Sequence, residues 1–170
     1  DLHMCYAAKA NTSLAVMKIL EDDGYFCVDN LPLSLLPTLI QLTEDSSEEI
    51  ERVALGIDIR GGYRSLKEAA HVLDDLKSRG YTLEILFLEA STSVLVKRYK
   101  ETRRTHPLAH GGRVDRGIRQ EREKLAFLKQ HADYIIDTSK LLTRELNMEL
   151  EKIFVEGREF KSLVVTVLSF

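Results

Sequence analysis

Two groups of charged residues have the residue types and spacing to bind phosphate. The first is a basic segment that contains Arg98, Arg103 and Arg104 and ends at His106. Arginine side chains bind phosphate oxygens bidentately, and a mobile basic segment can supply positive charge during phosphoryl transfer. The alternative is an exposed helix face whose charges are balanced by nearby glutamates. On the residues alone, the two interpretations carry about equal weight.

The second group follows an apolar run and consists of Asp58, Ile59, Arg60 and Gly61. An aspartate at the carboxyl end of a strand could hold Mg²⁺ through water beside a phosphate-binding loop. The simpler interpretation is structural, with Asp58 capping the loop that leads to Ser65 and Arg60 pairing with it. On the residues alone, this structural interpretation is favoured.

Other classes of site find no support in the sequence. The histidines outside the basic segment lack the cysteine or carboxylate spacing of a zinc site, and no Ser-His-Asp or Cys-His arrangement can be defended. Cys5 and Cys27 are too few for a disulfide framework. This cysteine usage is typical of a reduced, cytoplasmic chain.

Length and composition restrict the class of protein. The 170 residues are 44% hydrophobic and 30% charged, which fits one globular domain rather than a disordered or fibrous chain. The formal net charge of -3 gives no bulk attraction to nucleic acid or anionic lipid, so such binding requires a local patch. The longest apolar runs are far shorter than the ~20 residues of a membrane helix, so no membrane partner is expected.

The elements that must position these residues follow from the hydrophobic pattern. Short apolar runs alternate with longer helical stretches, which predicts a three-layer α/β fold around a mostly parallel sheet. The predicted strands are residues 2–7, 25–28, 52–59, 83–88, 134–136 and 163–168. Because ligands of such sheets bind beyond the carboxyl ends of the strands, the residues after each strand are the candidate site. They are residues 7–12, 29–30, 58–62, 89–90 and 137–138.

Four sequence blocks occur in the order that is typical of one family of bacterial proteins. They are LEDDGYFCVDNLP at 20–32, IDIR at 57–60, ILFLEA at 85–90 with TRRTHPL at 102–108, and ADYIIDTS at 132–139. On these blocks the chain closely resembles the RapZ/YvcJ family of P-loop nucleotide-binding proteins over nearly its whole length. The best-known member of this family is an RNase adapter.

The resemblance implies a P-loop-type nucleotide-binding domain over residues 1–157, with 158–170 as a linker and the first strand of a missing C-terminal domain. It implies nucleotide contacts at residues 58–61 and phosphate contacts from a lid at Arg103 and Arg104. The implied ligands are ATP or GTP with Mg²⁺, and the implied activity is at most slow hydrolysis. RNA or an RNase would be reached through the missing domain. The family and the final Ser169-Phe170 favour either self-association or a missing chain segment.

The chain departs from the family at the Walker A loop, which counting back from residues 20–22 places at residues 7–14. These residues read AAKANTSL, whereas a phosphate cradle needs glycines followed by lysine and then serine or threonine. Ser13 stands at the lysine position, and Leu14 stands at the position of the Mg²⁺-binding hydroxyl. Left-handed non-glycine residues cost about 1–2 kcal/mol each, and a lost charged hydrogen bond costs about 1.5–3 kcal/mol. We therefore expect triphosphate binding to be weaker by roughly a hundredfold or more.

Three functions are compatible with the sequence. The resemblance favours a nucleotide-binding regulatory domain, whereas the residues at 7–14 favour a nucleotide-free scaffold or interaction domain. A nucleotide or small-molecule kinase is the third alternative, because a basic lid is also typical of that class. The missing Walker lysine makes the kinase the least favoured of the three.

Overall fold

The computed structural model describes residues 11–32, 35–45, 52–57, 63–101, 106, 108–109, 112–154 and 163–168. The helices of these residues are α1 (Asn11–Asp22), α2 (Leu36–Asp45), α3 (Tyr63–Ser78), α4 (Thr92–Glu101), α5 (Val114–Gln130) and α6 (Thr143–Phe154). The strands are β1 (Phe26–Leu31), β2 (Val53–Ile57), β3 (Leu83–Glu89), β4 (Tyr134–Asp137) and β5 (Leu163–Leu168). Within this described part of the chain, no helix is both long and apolar enough to cross a membrane.

The strands form one sheet in the order β1-β2-β5-β3-β4, and every pairing is parallel. Helix α1 packs on α6, and α5 packs on both α3 and α4. The α/β fold around a parallel sheet is therefore confirmed. Because all the strands run the same way, their carboxyl ends lie along one edge, which we call the carboxyl edge.

The main core forms between the sheet and its helices. Leu20 of α1, Leu55 of β2, Leu86 of β3 and Leu150 of α6 are all fully buried. Burying one such side chain contributes about 1.5–3 kcal/mol, so these contacts fix the helices against the sheet. The sheet consequently provides a rigid base for whatever lies along its edges.

Glycines end two of the helices, as their positions in the sequence predict. Gly24 follows α1 with φ +86°, and Gly80 follows α3 with φ +88°. Glycine adopts this left-handed conformation without the steric cost that a side chain would bring. The start of α3 differs slightly from the prediction, because the helix begins at Tyr63 and Ser65 lies inside its first turn.

Strand β1 is longer than the sequence predicts. Asp29 and Asn30 have the composition of a turn, but both belong to the strand. The register of β1 on β2 shifts between Val28 and Leu31. Since β1 is an edge strand, this irregularity accommodates two polar residues without breaking the pairing.

Strand β5 lies in the centre of the sheet, hydrogen-bonded to β2 on one side and to β3 on the other. Its sequence, LVVTVL, has the continuous apolar character that a central parallel strand requires. The sequence prediction assigned residues 158–170 to a linker and to a following domain, whereas here β5 joins the sheet of the first domain. The domain boundary at residues 157 and 158 stays a prediction, and the predicted strand at 2–7 lies outside the described residues.

Candidate functional site

The carboxyl ends of β3 and β4 form a rigid rim. Glu89 and Asp137 end these strands side by side. The backbone N–H and the hydroxyl of Thr138 both donate to the Glu89 carbonyl oxygen, at 2.7 and 3.0 Å. Just beyond, the Ser91 N–H donates to Ser139 Oγ at 2.7 Å. These bonds tie the two loops together, so the rim is fixed in shape.

Arg98 of α4 is committed to this rim. Its Nη1 donates to Thr138 Oγ1 at 3.2 Å, and its Nη2 donates to the Thr138 carbonyl oxygen at 2.8 Å. Burial lowers the pKa of this guanidinium. Arg98 therefore joins α4 to the end of β4 and has a structural contact at the rim.

Asp137 gives the rim a fixed negative charge. Its carboxylate accepts the backbone N–H of Ser139 at 2.8 Å and also the Ser139 hydroxyl. These hydrogen bonds hold the pKa of the Asp137 carboxyl below its ordinary value. Because the carboxylate is ionised at neutral pH, the β4 end of the rim suits a hydroxyl or an amino group of a ligand rather than a phosphate.

Helix α5 places basic side chains against the carboxyl end of β3. Arg122, in the middle of α5, donates to Thr92 Oγ1 at 2.6 Å and to the Ala90 carbonyl oxygen, so it lies level with the end of β3. Lys129, in the last turn of the same helix, pairs with Glu89 at the end of β3, with Nζ 2.6 Å from Oε2. The side chains of α5 therefore place positive charge against the carboxyl end of β3.

A buried histidine fastens the segment before α5 to the helix. His106 and Glu121 are 2% and 1% exposed, and His106 Nε2 lies 2.9 Å from Glu121 Oε2. The Leu108 N–H donates to His106 Nδ1 at 3.1 Å. Because Nδ1 accepts this bond, the proton is on Nε2, which donates to the carboxylate. The ring also contacts Tyr99 of α4, with centroids 5.0 Å apart.

Gly117 makes room for this histidine on α5. A Cβ at this position would lie 2.6 Å from His106 Nδ1 and 3.2 Å from the Ala109 nitrogen. Any larger side chain would therefore displace the imidazole. The sequence interpretation of His106 as a loop residue rather than a general base agrees with this position, but its partners Glu121 and Gly117 were not predicted. The spacing of a histidine 15 residues before a helical glutamate carries no local signal that could have found them.

The remaining predicted site residues lie outside the described residues. These are Asp58, Ile59, Arg60 and Gly61, which follow the end of β2, and Arg103 and Arg104, which follow the end of α4. Their roles stay predictions. Among the described residues, no cluster of three or more His, Cys, Asp or Glu side chains could hold a metal ion.

Helix α1 begins within the altered loop at residues 7–14. The helix begins at Asn11, so residues 11 and 12, which the resemblance places in the phosphate cradle, belong to its first turn. Leu14 also lies in α1 and carries no oxygen that could bind Mg²⁺. The expected Mg²⁺ ligand at this position is therefore missing.

Comparison with known proteins identifies the family. The family model described as the RapZ-like N-terminal domain matches residues 7–158. The chain belongs to this family. The RapZ-like match starts at residue 7, the first residue of the altered loop, and ends before β5, so the central strand of the sheet lies outside the matched segment.

Relatives in this RapZ-like family cover most of the chain. A protein from Lachnoclostridium phytofermentans named nucleotide-binding protein is 58% identical over 92% of this chain and 54% of its own length. Proteins of the same name from Agathobacter rectalis and Ruminiclostridium cellulolyticum are 54% and 52% identical, each over 91% of this chain and 53% of their own length. The chain thus spans about half the length of the curated relatives it matches.

Proposed function

We propose that this domain binds a nucleotide, ATP or GTP, at the carboxyl edge of its sheet and serves as a regulatory nucleotide-binding domain. The observation that carries the proposal is the match of residues 7–158 to the RapZ-like N-terminal domain. At the carboxyl edge, the ionised Asp137 carboxylate could accept hydrogen bonds from the hydroxyl or amino groups of a nucleotide. The name nucleotide-binding protein, carried by relatives more than half identical to the chain, supports the same assignment.

Binding in this chain is proposed to be weak and catalysis slow or absent. Ser13 and Leu14 replace the lysine and the hydroxyl that would contact the phosphates and Mg²⁺. Any Mg²⁺ would then be held mainly by the nucleotide phosphates and by water, with Asp58 as the proposed carboxylate partner. Arg103 and Arg104 are proposed to contact the phosphates from the lid.

The whole protein is proposed to work through more than this domain. Because the chain spans about half of its relatives, contacts with RNA or an RNase are assigned to the other half. The role would be that of an RNase adapter whose nucleotide-binding domain reports on nucleotide levels. Self-association belongs to the same proposal.

One alternative is supported by a specific observation. Ser13 and Leu14 lack the ammonium group and the hydroxyl that a phosphate-binding loop carries at these two positions. A domain with this defect could persist as a scaffold or interaction domain that binds no nucleotide. The two functions differ in one measurable quantity, which is the affinity for ATP and GTP.

Calorimetric titration of this chain with ATP and GTP, with and without Mg²⁺, separates the two functions. We expect saturable binding, weaker by about a hundredfold than in the matching domain of the Lachnoclostridium phytofermentans relative titrated in parallel. The expected cause is the loss of the glycines, the lysine and the hydroxyl from the loop. No binding at millimolar nucleotide, with a circular dichroism spectrum showing folded protein, would favour the scaffold instead.

A further inference from the structure

We propose that a cavity between the segment after His106 and the first turns of α5 is a second phosphate-binding site, distinct from the altered loop before α1. The cavity has a volume of about 740 Å³. Its lining residues are Leu108, Ala109, Gly112, Arg113, Asp115, Arg116, Arg119 and Gln120. Three guanidinium groups thus face one carboxylate, which makes the cavity a local basic patch on a chain of formal net charge -3.

Two of the three arginines pair with the same carboxylate. The Asp115 carboxylate accepts from Arg113 Nε at 3.0 Å and from Arg119 Nη2 at 3.3 Å. The hydrogen bond from Arg113 holds the pKa of the Asp115 carboxyl below its ordinary value. One carboxylate therefore contacts the guanidinium groups of Arg113, just before α5, and of Arg119 within it, and it leaves some of their N–H donors unused.

Arg116 supplies the charge that remains unbalanced. It is exposed, and no ion pair or side-chain hydrogen bond joins it to the other described residues. Three guanidinium groups around one cavity offer more donors than a single carboxylate ligand could accept. Phosphate groups present three acceptor oxygens each and match guanidinium geometry, so they are the favoured ligand chemistry.

The wall of the cavity formed by the segment after His106 is held by hydrogen bonds. Leu108 and Ala109 follow His106, which is fastened to Glu121 and to the Leu108 N–H. The Ala109 N–H donates to the His106 carbonyl oxygen at 2.9 Å, which closes a turn. A preorganised wall reduces the ordering cost of binding. The cavity volume lies in the range of small-molecule sites, so it could hold a pyrophosphate group rather than a single phosphate.

The test is a titration of the whole chain with inorganic pyrophosphate. We expect saturable binding that weakens by about fivefold to tenfold in Arg116→Gln, because one exposed charged contact is lost. Arg79→Gln is the matched control, since Arg79 follows α3 at the opposite edge of the sheet and should leave the affinity unchanged. The proposal would be overturned if the wild type and Arg116→Gln bound pyrophosphate with equal affinity. It would also be overturned if the wild type did not bind pyrophosphate at about 10 mM, a concentration that would reveal even a weak site.

A competition experiment identifies the source of the phosphate. If the site receives the phosphate chain of a nucleotide bound at the carboxyl edge, ATP displaces pyrophosphate and Arg116→Gln weakens both. If the site serves a separate phosphorylated molecule, ATP and pyrophosphate bind together and Arg116→Gln weakens pyrophosphate alone. Either pattern supports a phosphate site here, and because pyrophosphate is the probe, its binding does not depend on the proposed nucleotide function.

Discussion

Replacing His106 with alanine is expected to lower the free energy of unfolding by about 3 kcal/mol, since a buried hydrogen bond to a carboxylate is lost. The Glu121 carboxylate is 1% exposed and would lose the Nε2–H that it accepts at 2.9 Å. The Leu108 N–H would lose its acceptor as well. Urea unfolding followed by circular dichroism measures the change directly.

His131→Ala is the matched control for this variant. His131 ends α5, is exposed and contacts the ring of Phe127, so its removal is expected to cost less than about 1 kcal/mol. His106→Asn keeps an acceptor for the Leu108 N–H but does not reach Glu121, and we expect it to be nearly as unstable as the alanine variant. If His106→Ala and His131→Ala unfold at the same urea concentration, the pair of His106 and Glu121 does not hold the segment before α5 in place.

A substitution at Gly117 tests the contact between His106 and α5 from the helix. Alanine is favoured over glycine in a helix by about 1 kcal/mol. Despite this preference, Gly117→Ala is expected to destabilise the protein by about 1–3 kcal/mol, because the new Cβ meets the imidazole at 2.6 Å. In the His106→Ala background the penalty should shrink or change sign. If Gly117→Ala and His106→Ala changed the free energy of unfolding additively, the close contact between position 117 and the imidazole would be contradicted.

Restoring the phosphate loop is expected to produce the largest change in nucleotide binding. The variant combines Ala7→Gly, Ala10→Gly, Thr12→Gly, Ser13→Lys and Leu14→Ser. The glycines let the backbone N–H groups converge, the lysine side chain reaches the β- and γ-phosphates, and the serine hydroxyl binds Mg²⁺. We expect binding of ATP or GTP to tighten by roughly a hundredfold or more in calorimetric titration, with the substitutions acting non-additively.

The matched control carries the three glycine substitutions alone. It should gain little affinity, because the backbone is freed but no charge or hydroxyl is added. Equally tight binding by the present chain would mean that its own loop already holds phosphate, whereas no binding by either form would place the defect at Asp58 or in the lid.

The sequence predicts most of the elements because their signals are local. Gly24 and Gly80 mark helix ends through their own backbone freedom, and the apolar runs of β3 and β5 are visible without any partner. The carboxyl edge follows from the alternation of strands and helices alone. A cap at Ser65 would put the first helical residue at position 66, so α3, which begins at Tyr63, starts three residues earlier than predicted.

The features that the sequence does not predict depend on distant partners. Asp29 and Asn30 read as a turn, yet pairing with β2 draws them into β1. β5 lies between β2 and β3 in the sheet. This position depends on strands that are distant in the sequence, so the sequence of β5 alone does not predict it. The contact between His106 and Glu121 and the space above Gly117 exist only when the segment and the helix are packed together.

Amide chemical shifts recorded while ATP or GTP is added to the ¹⁵N-labelled chain test the central claim most directly. The claim is that nucleotide binds at the carboxyl edge of the sheet. It predicts saturable shifts at Ser91 and Thr138, which form the rim beyond β3 and β4, and little change at Gly24 and Gly80, which end helices at the opposite edge. Shifts confined to Gly24 and Gly80, or no shifts at millimolar nucleotide, would contradict it.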